Sequence, residues 1–209
     1  MNIDPTEHSD ADNYKLLTNL VLPRPIAWVT TVGTTGVVNL APYSFFNAIS
    51  SDPPCVVVSV GTRPDGSPKD TGANILANQE FVVNLVTEEL IGAMNVSAAD
   101  FPADQSESSA TNLPLAASLR VHAPRLADAQ VSLECRMLQS LPIGGNTLVI
   151  GQIVMFHVAD RLVGSRLHIQ DFAPVGRLGS PSMYCRTNER FELPRISYAE
   201  WQRGRRNAD

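Results

Sequence analysis

The sequence has few charged residues, few cysteines and no long apolar run. Charged residues make up 18% of the 209 residues, and the formal net charge is −5. This acidic balance excludes a nucleic-acid or anionic-membrane partner, because both require a basic face. No uninterrupted apolar run is longer than five residues, whereas a membrane helix needs about 20. The low charge also predicts that another subunit covers part of the surface.

Cysteine usage and the first residues bear on the compartment. Cys55, Cys135 and Cys185 are scattered, with no CxxC pair and no histidine at metal-ligand spacing. This pattern indicates reduced thiols rather than a disulfide framework or a metal site. Residues 1–15 are polar and acidic, where a signal peptide is basic and then apolar. We therefore expect a cytoplasmic protein that is neither secreted nor membrane-spanning.

Sequence motifs for catalysis are missing as well. The chain has no GxSxG, no Walker loop and no HExxH, and no predicted strand is followed by GxGxxG. Its four histidines, His8, His122, His157 and His168, stand alone and are interpreted as surface or locally satisfied side chains. A bound cofactor that carries the reaction is a better explanation of this composition than a catalytic group of the chain itself.

Short runs of β-branched and aromatic residues, separated by turn residues, dominate the chain. They predict strands over residues 26–32, 37–41, 44–50, 55–60, 81–86, 129–140 and 147–159. Helical periodicity predicts helices over residues 9–22, 71–79 and 88–97. Residues 98–118 are expected to form loop and short helix, and the chain beyond Gly164 is expected to be extended, with a solvated end at 203–209. This order predicts a closed, mostly antiparallel sheet with peripheral helices.

Residues 39–47 (NLAPYSFFN) form the first candidate site segment. Pro42 has no backbone N–H, so it is expected to interrupt the strand that starts at Val37 and to leave backbone groups unpaired. A flat heterocycle with imide-like donors and acceptors would satisfy those groups. The alternative is an ordinary bend between two core strands.

A second candidate segment leads into the helix predicted at residue 71. A helix start offers free N–H groups and positive potential, and nearby cations and hydroxyls would bind a terminal phosphate. The alternative is that Asp70 simply caps the helix and Lys69 lies in solvent. The candidate residues of this segment are Ser59, Arg63, Lys69, Asp70, Thr71 and Gly72.

Six segments along the chain carry a family resemblance: PRPIAWVTT (23–31), NLAPYSFFNAISSDPP (39–54), KDTGANI (69–75), EFVVN (80–84), Glu134-Cys135 and FAPVGRLGSPSMY (172–184). Together they resemble the flavin reductase-like, FMN-binding split-barrel family, in the branch of nitrilotriacetate-type monooxygenase reductase components and flavoredoxin. The resemblance runs in order over residues 14–195, within a single domain of residues 1–209 whose ends, 1–13 and 196–209, are peripheral tails.

The resemblance implies a mainly β fold, a six-stranded Greek-key split barrel, that forms a homodimer with one FMN bound per barrel near the dimer interface. It implies that Thr30, Thr31, Asn39 and Ala41 lie beside or near the isoalloxazine. It assigns Tyr43, Ser44 and Asn47 to the ring edge and ribityl chain. It assigns Ser59, Lys69 and Thr71 to the phosphate, with Arg63 and Asp70 in support. Arg177 and Tyr184 would reach the partner's flavin; the alternative is that residues 172–184 merely strap the barrel.

Three functions remain open on the sequence. The first is an NAD(P)H:FMN oxidoreductase, an enzyme that takes NADH or NADPH as co-substrate and supplies reduced flavin to a separate monooxygenase. Hydride transfer to the flavin needs no acid or base of the protein, and His157 is a weak candidate for a wall of the flavin face. The second is a flavoredoxin-like electron carrier, and the third is a non-catalytic flavin-binding module.

Overall fold

The structure of the chain, a computed structural model, describes residues 1–63, 65–102 and 104–206. Its helices are α1 (Asp10–Leu20), α2 (Asp70–Asn78), α3 (Ile91–Val96), α4 (Glu107–Ala110) and α5 (Tyr198–Arg206). Single 3₁₀ turns lie at Pro5–Glu7, Glu88–Leu90, Asp160–Leu162 and Ser165–Leu167. Within the described residues, no helix has the length and apolar character that crossing a membrane requires.

Twelve strands of very different length make up the β structure of the described chain. Five are two-residue pairings: β1 (Arg24–Pro25), β7 (Leu115–Ala116), β8 (Arg125–Leu126), β11 (Gly176–Arg177) and β12 (Tyr184–Cys185). The other seven are β2 (Ala27–Val32), β3 (Val38–Tyr43), β4 (Phe46–Ser51), β5 (Pro54–Gly61), β6 (Glu80–Leu85), β9 (Val131–Ile143) and β10 (Asn146–Val158).

The seven longer strands form one antiparallel sheet in the order β3-β2-β6-β9-β10-β5-β4. The strands at its two ends, β3 and β4, are consecutive in the chain and are separated only by Ser44 and Phe45. The sheet therefore curls until its edges meet in one bent stretch of chain. Counted with β3 and β4 as the two parts of that stretch, the barrel has the six predicted strands.

The position of this bend corrects the prediction for Pro42. Pro42 lies inside β3, opposite Trp28 of β2, and the ladder breaks two residues later. A proline is tolerated there because β3 has a strand neighbour on one side only. The backbone interruption that was expected at Pro42 is therefore at Ser44 and Phe45.

Apolar side chains fill the barrel and a second layer beside it. The larger cluster is centred on Phe81, Ile75 and Val58, which are fully buried. The smaller cluster joins Trp28 and Leu40 to helix α3. The Trp28 indole N–H donates to the Ser97 hydroxyl at 2.8 Å, which fixes the chain just after α3 against the sheet.

The predicted helices at 9–22 and 71–79 match α1 and α2 closely. Ser9 caps α1, because its hydroxyl accepts a hydrogen bond from the backbone N–H of Asp12 at 3.2 Å. In the tail, β11 pairs with β1 on one side and with β12 on the other. The prediction of extended chain is wrong over Tyr198–Arg206, which form helix α5. Residues 207–209 of the predicted solvated end lie outside the described residues.

Candidate functional site

A cleft of 590 Å³ opens at the start of helix α2, and we call it the main cleft. One wall is β3, the second is the chain that leads into α2, and the third is the segment that follows α3. Its lining residues are Asn39, Ala41, Pro42, Tyr43, Thr62, Arg63, Lys69, Asp70, Thr71, Ser97, Ala98, Ala99, Asp100, Phe101 and Glu107.

A smaller cavity of 280 Å³ shares Pro42, Tyr43 and Ala98 with the main cleft. We call it the aromatic compartment, because three tyrosines line it together with one arginine. The Arg177 guanidinium lies over the Tyr184 ring, 4.7 Å from the ring centre. The lining residues of this compartment are Tyr14, Ile26, Pro42, Tyr43, Ser44, Met94, Ala98, Arg177 and Tyr184.

The start of α2 lacks the side-chain hydrogen bond that commonly caps a helix. Lys69 is the N-cap residue, but its side chain makes no capping hydrogen bond. Asp70 is the first helical residue and pairs with Arg63 at 2.7 Å, so the alternative in which Asp70 caps the helix is wrong. The first backbone N–H groups of α2 therefore have no side-chain cap where the helix borders the main cleft.

Hydrogen bonds fix Thr71 between β3 and α2. The side-chain amide of Asn39 donates to the Thr71 hydroxyl at 2.8 Å. Burial raises the pKa of Tyr43 to about 12, and a hydrogen bond with Thr71 acts in the opposite direction. Tyr43 is therefore protonated at neutral pH and is available as a hydrogen-bond donor.

The structure brings ten of the fourteen predicted site residues to these two adjoining cavities. Seven line the main cleft: Asn39, Ala41, Tyr43, Arg63, Lys69, Asp70 and Thr71. Ser44, Arg177 and Tyr184 line the aromatic compartment. Arg177 and Tyr184 thus share a compartment with Tyr43 of their own chain, whereas the resemblance had placed them at the partner's flavin.

The other four predicted residues lie outside both cavities. Thr30 and Thr31 are fully buried; the Thr30 hydroxyl donates to the Pro124 carbonyl at 2.6 Å, and the Thr31 hydroxyl accepts from Asn74 at 3.0 Å. Both side chains therefore hold neighbouring segments against β2 and do not reach the cleft.

Asn47 and Ser59 are also separated from the cleft. Asn47 is exposed on β4, beyond the bend, and its side chain accepts a hydrogen bond from its neighbour's backbone N–H. Ser59 lies on β5, where its backbone N–H donates to Phe45 at 2.9 Å. Asn47 thus lies beyond the bend from Tyr43, and Ser59 lies on β5, the strand that pairs with β4.

His157 has a structural partner rather than a place in the cleft. Its Nε2 lies 2.5 Å from the Glu134 carboxylate, which also accepts backbone hydrogen bonds from Leu119 and Arg120 at 2.7 and 2.6 Å. Burial alone would raise the pKa of Glu134, but these hydrogen bonds hold it below its usual value. This cluster fastens the loop around residues 118–124 to strand β9.

Sequence reasoning missed the third wall of the main cleft. Ser97 ends the helix predicted over residues 88–97, and Asp100 and Glu107 come from residues 98–118, which were interpreted as surface loop and short helix. The pair Ser106-Glu107 is a local signal for the start of a short helix. Nothing near it in the sequence indicates that Glu107 contacts Leu40, 67 positions earlier.

The chain belongs to the flavin reductase-like domain family, whose model matches residues 19–188. An uncharacterized protein of Deinococcus radiodurans is 42% identical over 96% of this chain and 92% of its own length. Nitrilotriacetate monooxygenase component B from Bacillus cereus is 37% identical, covers 92% of this chain and 98% of its own, and superposes with a TM-score of 0.88.

Two further structures support the fold. The 2-nitrobenzoate 2-nitroreductase NbaA of Pseudomonas fluorescens is 34% identical over 95% of this chain and 98% of its own, with a TM-score of 0.86. A chain with a split barrel domain from Shewanella frigidimarina has a TM-score of 0.80 at 20% identity, over 94% of this chain and all of its own. The fold is therefore the split barrel that the resemblance implied.

Proposed function

We propose that the chain is an NAD(P)H:FMN oxidoreductase that supplies reduced flavin to a separate monooxygenase. The family supports a flavin, and one observation of the site carries the proposal. The uncapped start of α2, beside the Lys69 side chain, borders a cleft that continues into an aromatic compartment. A cationic end and an aromatic end in adjoining cavities suit a phosphate and a flat ring carried by one molecule.

The residues present fit FMN on chemical grounds. A helix start binds anions through its free N–H groups, and Lys69 adds a cation that has no carboxylate within 4.0 Å among the described residues. Tyr43 and Tyr184 offer ring surfaces, and Arg177 is a cation for a ring that becomes negative on reduction. When bound, FMN supplies the acceptor for a hydride from a nicotinamide.

The roles that follow for this chain are binding and orientation. Lys69 and Thr71 bind the phosphate, and Arg63 and Asp70 order each other at its edge through their ion pair. Tyr43 donates from a protonated phenol, and Ser44 holds the bend of the barrel through its hydrogen bond from Arg24 at 3.3 Å. No acid–base step is assigned to the protein.

Replacement of Lys69 by alanine tests the cofactor site. A charge-assisted hydrogen bond contributes about 1.5–3 kcal/mol, so the FMN dissociation constant should rise about ten- to a hundredfold. Riboflavin, which lacks the phosphate, should bind Lys69→Ala as it binds the unmodified protein. Lys15→Ala is the matched control, because Lys15 is exposed and pairs with Asp12 on α1. Equal FMN affinity in both variants would show that the phosphate does not bind at the start of α2.

Reduction of the flavin tests the activity. Loss of the visible absorbance of bound flavin on addition of NADH or NADPH alone is the result expected for the reductase. Loss only with a protein electron donor would support the flavoredoxin-like carrier instead. Loss with dithionite only would support a non-catalytic flavin-binding module.

A homodimer and a partner oxygenase complete the proposal. Strand β4 and the far part of β9 expose Ile49, Leu138, Leu141 and Ile143, and a second copy of the chain would cover them. The similarity to a component B of a monooxygenase supports a separate oxygenase partner. A solution mass of twice the 22.6 kDa of one chain is expected; a mass of one chain at micromolar concentration would contradict the dimer.

The location and the extent of the domain remain proposals. We propose a cytoplasmic protein, because Cys55, Cys135 and Cys185 are all unpaired and cytoplasmic thiols stay reduced. We propose that residues 1–209 form one domain, supported by the hydrogen bond from Arg24 to the Leu178 carbonyl, 154 residues later in the chain.

The aromatic compartment favours a second candidate function. The similar protein NbaA is a 2-nitrobenzoate 2-nitroreductase, and a cavity with three tyrosines and Arg177 suits a small aromatic anion. On this alternative the reduced flavin stays bound and reduces that compound. Oxidation of NAD(P)H that requires a nitroaromatic acid, and that does not occur with free FMN as acceptor, would support it over the reductase.

A further inference from the structure

The main cleft is lined by two cations, Arg63 and Lys69, and by three carboxylates, Asp70, Asp100 and Glu107. Arg63 and Asp70 neutralise each other across 2.7 Å. Lys69 has no carboxylate within ion-pair distance among the described residues, and Glu107 has no cation at that distance. A phosphate monoester with nearly two negative charges would therefore enter a cleft in which one spare cation faces two spare carboxylates, the exposed Asp100 and the buried Glu107.

Glu107 is held firmly in its wall. Its residue is 6% exposed, and its Oε2 accepts the backbone N–H of Leu40 at 2.8 Å. It begins α4, a short helix that packs against β3. The carboxylate cannot swing into solvent without giving up that hydrogen bond, so its charge stays at the cleft whenever it is ionised.

The surroundings of Glu107 favour its neutral form. Burial raises the pKa of Glu107, the negative charge of Asp70 adds to this rise, and hydrogen bonds from the backbone N–H groups of Leu40 and Glu107 oppose it. The titratable and charged groups that share its two cavities are Tyr43, Arg63, Lys69, Asp70, Asp100 and Asp104.

We propose that Glu107 is a proton-coupled positioning residue of the cofactor site: the ionised carboxylate and a bound phosphate monoester exclude each other, so FMN binding places one proton from solvent on Glu107. The proposal rests on the proposed function for the identity of the ligand. A protonated Glu107 still accepts from Leu40 through its carbonyl oxygen, so the wall of the cleft keeps its shape. The proton leaves again when the phosphate leaves.

The experiment measures protons and affinity together. Calorimetric titration of the full chain with FMN, in buffers of different ionisation enthalpy, gives the number of protons taken up at each pH from 5 to 8.5. At a pH where Glu107 is ionised, the unmodified protein should bind more protons on FMN binding than Glu107→Gln does, by as much as one. The amide oxygen in Glu107→Gln keeps the hydrogen bond with Leu40. The affinity advantage of the variant should grow with pH, by up to about tenfold per pH unit.

Two controls test whether the effect requires the phosphate of FMN and whether it requires a charge at Glu107. Riboflavin should show no difference between the unmodified protein and Glu107→Gln. Asp104→Asn removes the same charge from an exposed site on the same segment and should behave as the unmodified protein. Equal proton uptake and parallel pH profiles in the unmodified protein and Glu107→Gln would overturn the proposal.

A second measurement uses the unmodified protein, so its result does not depend on whether Glu107→Gln folds. Carbon-13 labelling of glutamate carboxyl groups reports the titration of Glu107 with and without FMN, and its apparent pKa should move upward when FMN is added. If FMN binds and this signal does not move, only the role of Glu107 fails. If the unmodified chain binds no FMN, the proposed function fails, and this proposal fails with it.

Discussion

The two parts of the bent stretch that closes the barrel have opposite environments. Strand β3 is covered: Leu40 is fully buried, and the backbone N–H of Leu40 is bonded to Glu107 of α4. Strand β4 is bare, and Ile49 at its centre is 50% exposed. The same contrast runs along β9, which is buried from Val131 to Cys135 and largely exposed over 136–143.

In the covered part, two buried carboxylates accept hydrogen bonds from backbone N–H groups of neighbouring segments. Glu107 accepts from Leu40, and Glu134 accepts from Leu119 and Arg120. These hydrogen bonds hold helix α4 against β3 and the loop around residues 118–124 against β9. The bare part has no such segment among the described residues, so a second copy of the chain is the proposed cover.

Truncation of one apolar side chain in each part gives the largest expected effect. Leu40→Ala should lower the free energy of unfolding by about 2–5 kcal/mol, since it leaves a cavity in a closed core. Ile49→Ala should cost less than about 1 kcal/mol in a monomer, because half of its side chain is already in water. Urea denaturation of both variants at several protein concentrations measures the two values.

The concentration series sharpens the comparison. If a second copy covers β4, the loss for Ile49→Ala should depend on protein concentration, while the loss for Leu40→Ala should remain large throughout. Equal and concentration-independent losses in the two variants would show that β3 and β4 do not differ in the way described.

Acid should weaken the covered part at a pH below 4.5, where Glu134 takes up a proton. Glu134 has a pKa below its usual value of 4.5, so its stabilisation is complete above that value and is lost as the pH falls through the lower pKa of the folded chain. Glu134→Gln should cost about 1–3 kcal/mol at pH 7 and should flatten the acid side of the stability profile. Urea midpoints between pH 2.5 and 7 test this, with the exposed Glu192→Gln as the control. An unchanged acid slope in Glu134→Gln would contradict it.

The smallest expected effect lies at α1, which forms one side of the aromatic compartment through Tyr14. Ser9→Ala removes the capping hydroxyl and should cost about 0.5–2 kcal/mol. Thermal unfolding followed by circular dichroism measures the loss. Thr6→Ala, which changes a hydroxyl just before α1, serves as the control, and a larger loss in that variant would place the helix start elsewhere.

The sequence predicted the elements of the fold well because their signals are local. The turn between residues 32 and 37, the cap at Ser9 and the run of β-branched residues at 55–60 each depend on neighbouring residues. The closed sheet also followed, since strands without regular helical crossovers favour antiparallel pairing. Helix α5 was missed, because the prolines before it suggested that extended chain would continue.

The candidate site was predictable only in part. Lys69 and Thr71 carry a local signal, a helix start beside a cation, and the structure places both in the main cleft. Thr30 and Asn47 were expected there because they lie within the matching segments 23–31 and 39–54, but Thr30 is fully buried and Asn47 is exposed on β4, beyond the bend. Glu107 was missed because its role depends on contacts with a strand far away in the sequence.

Arg24 joins segments of the chain that are made at very different times during synthesis. Its buried guanidinium donates to the Thr18 and Val21 carbonyls at the end of α1, to Ser44 at the bend and to the Leu178 carbonyl. Leu178 is made 154 residues after Arg24, and contacts of such separation close slowly. During synthesis, the bonds of Arg24 to α1 and to the bend therefore become possible first, and its bond to the Leu178 carbonyl becomes possible only after residue 178 has left the ribosome.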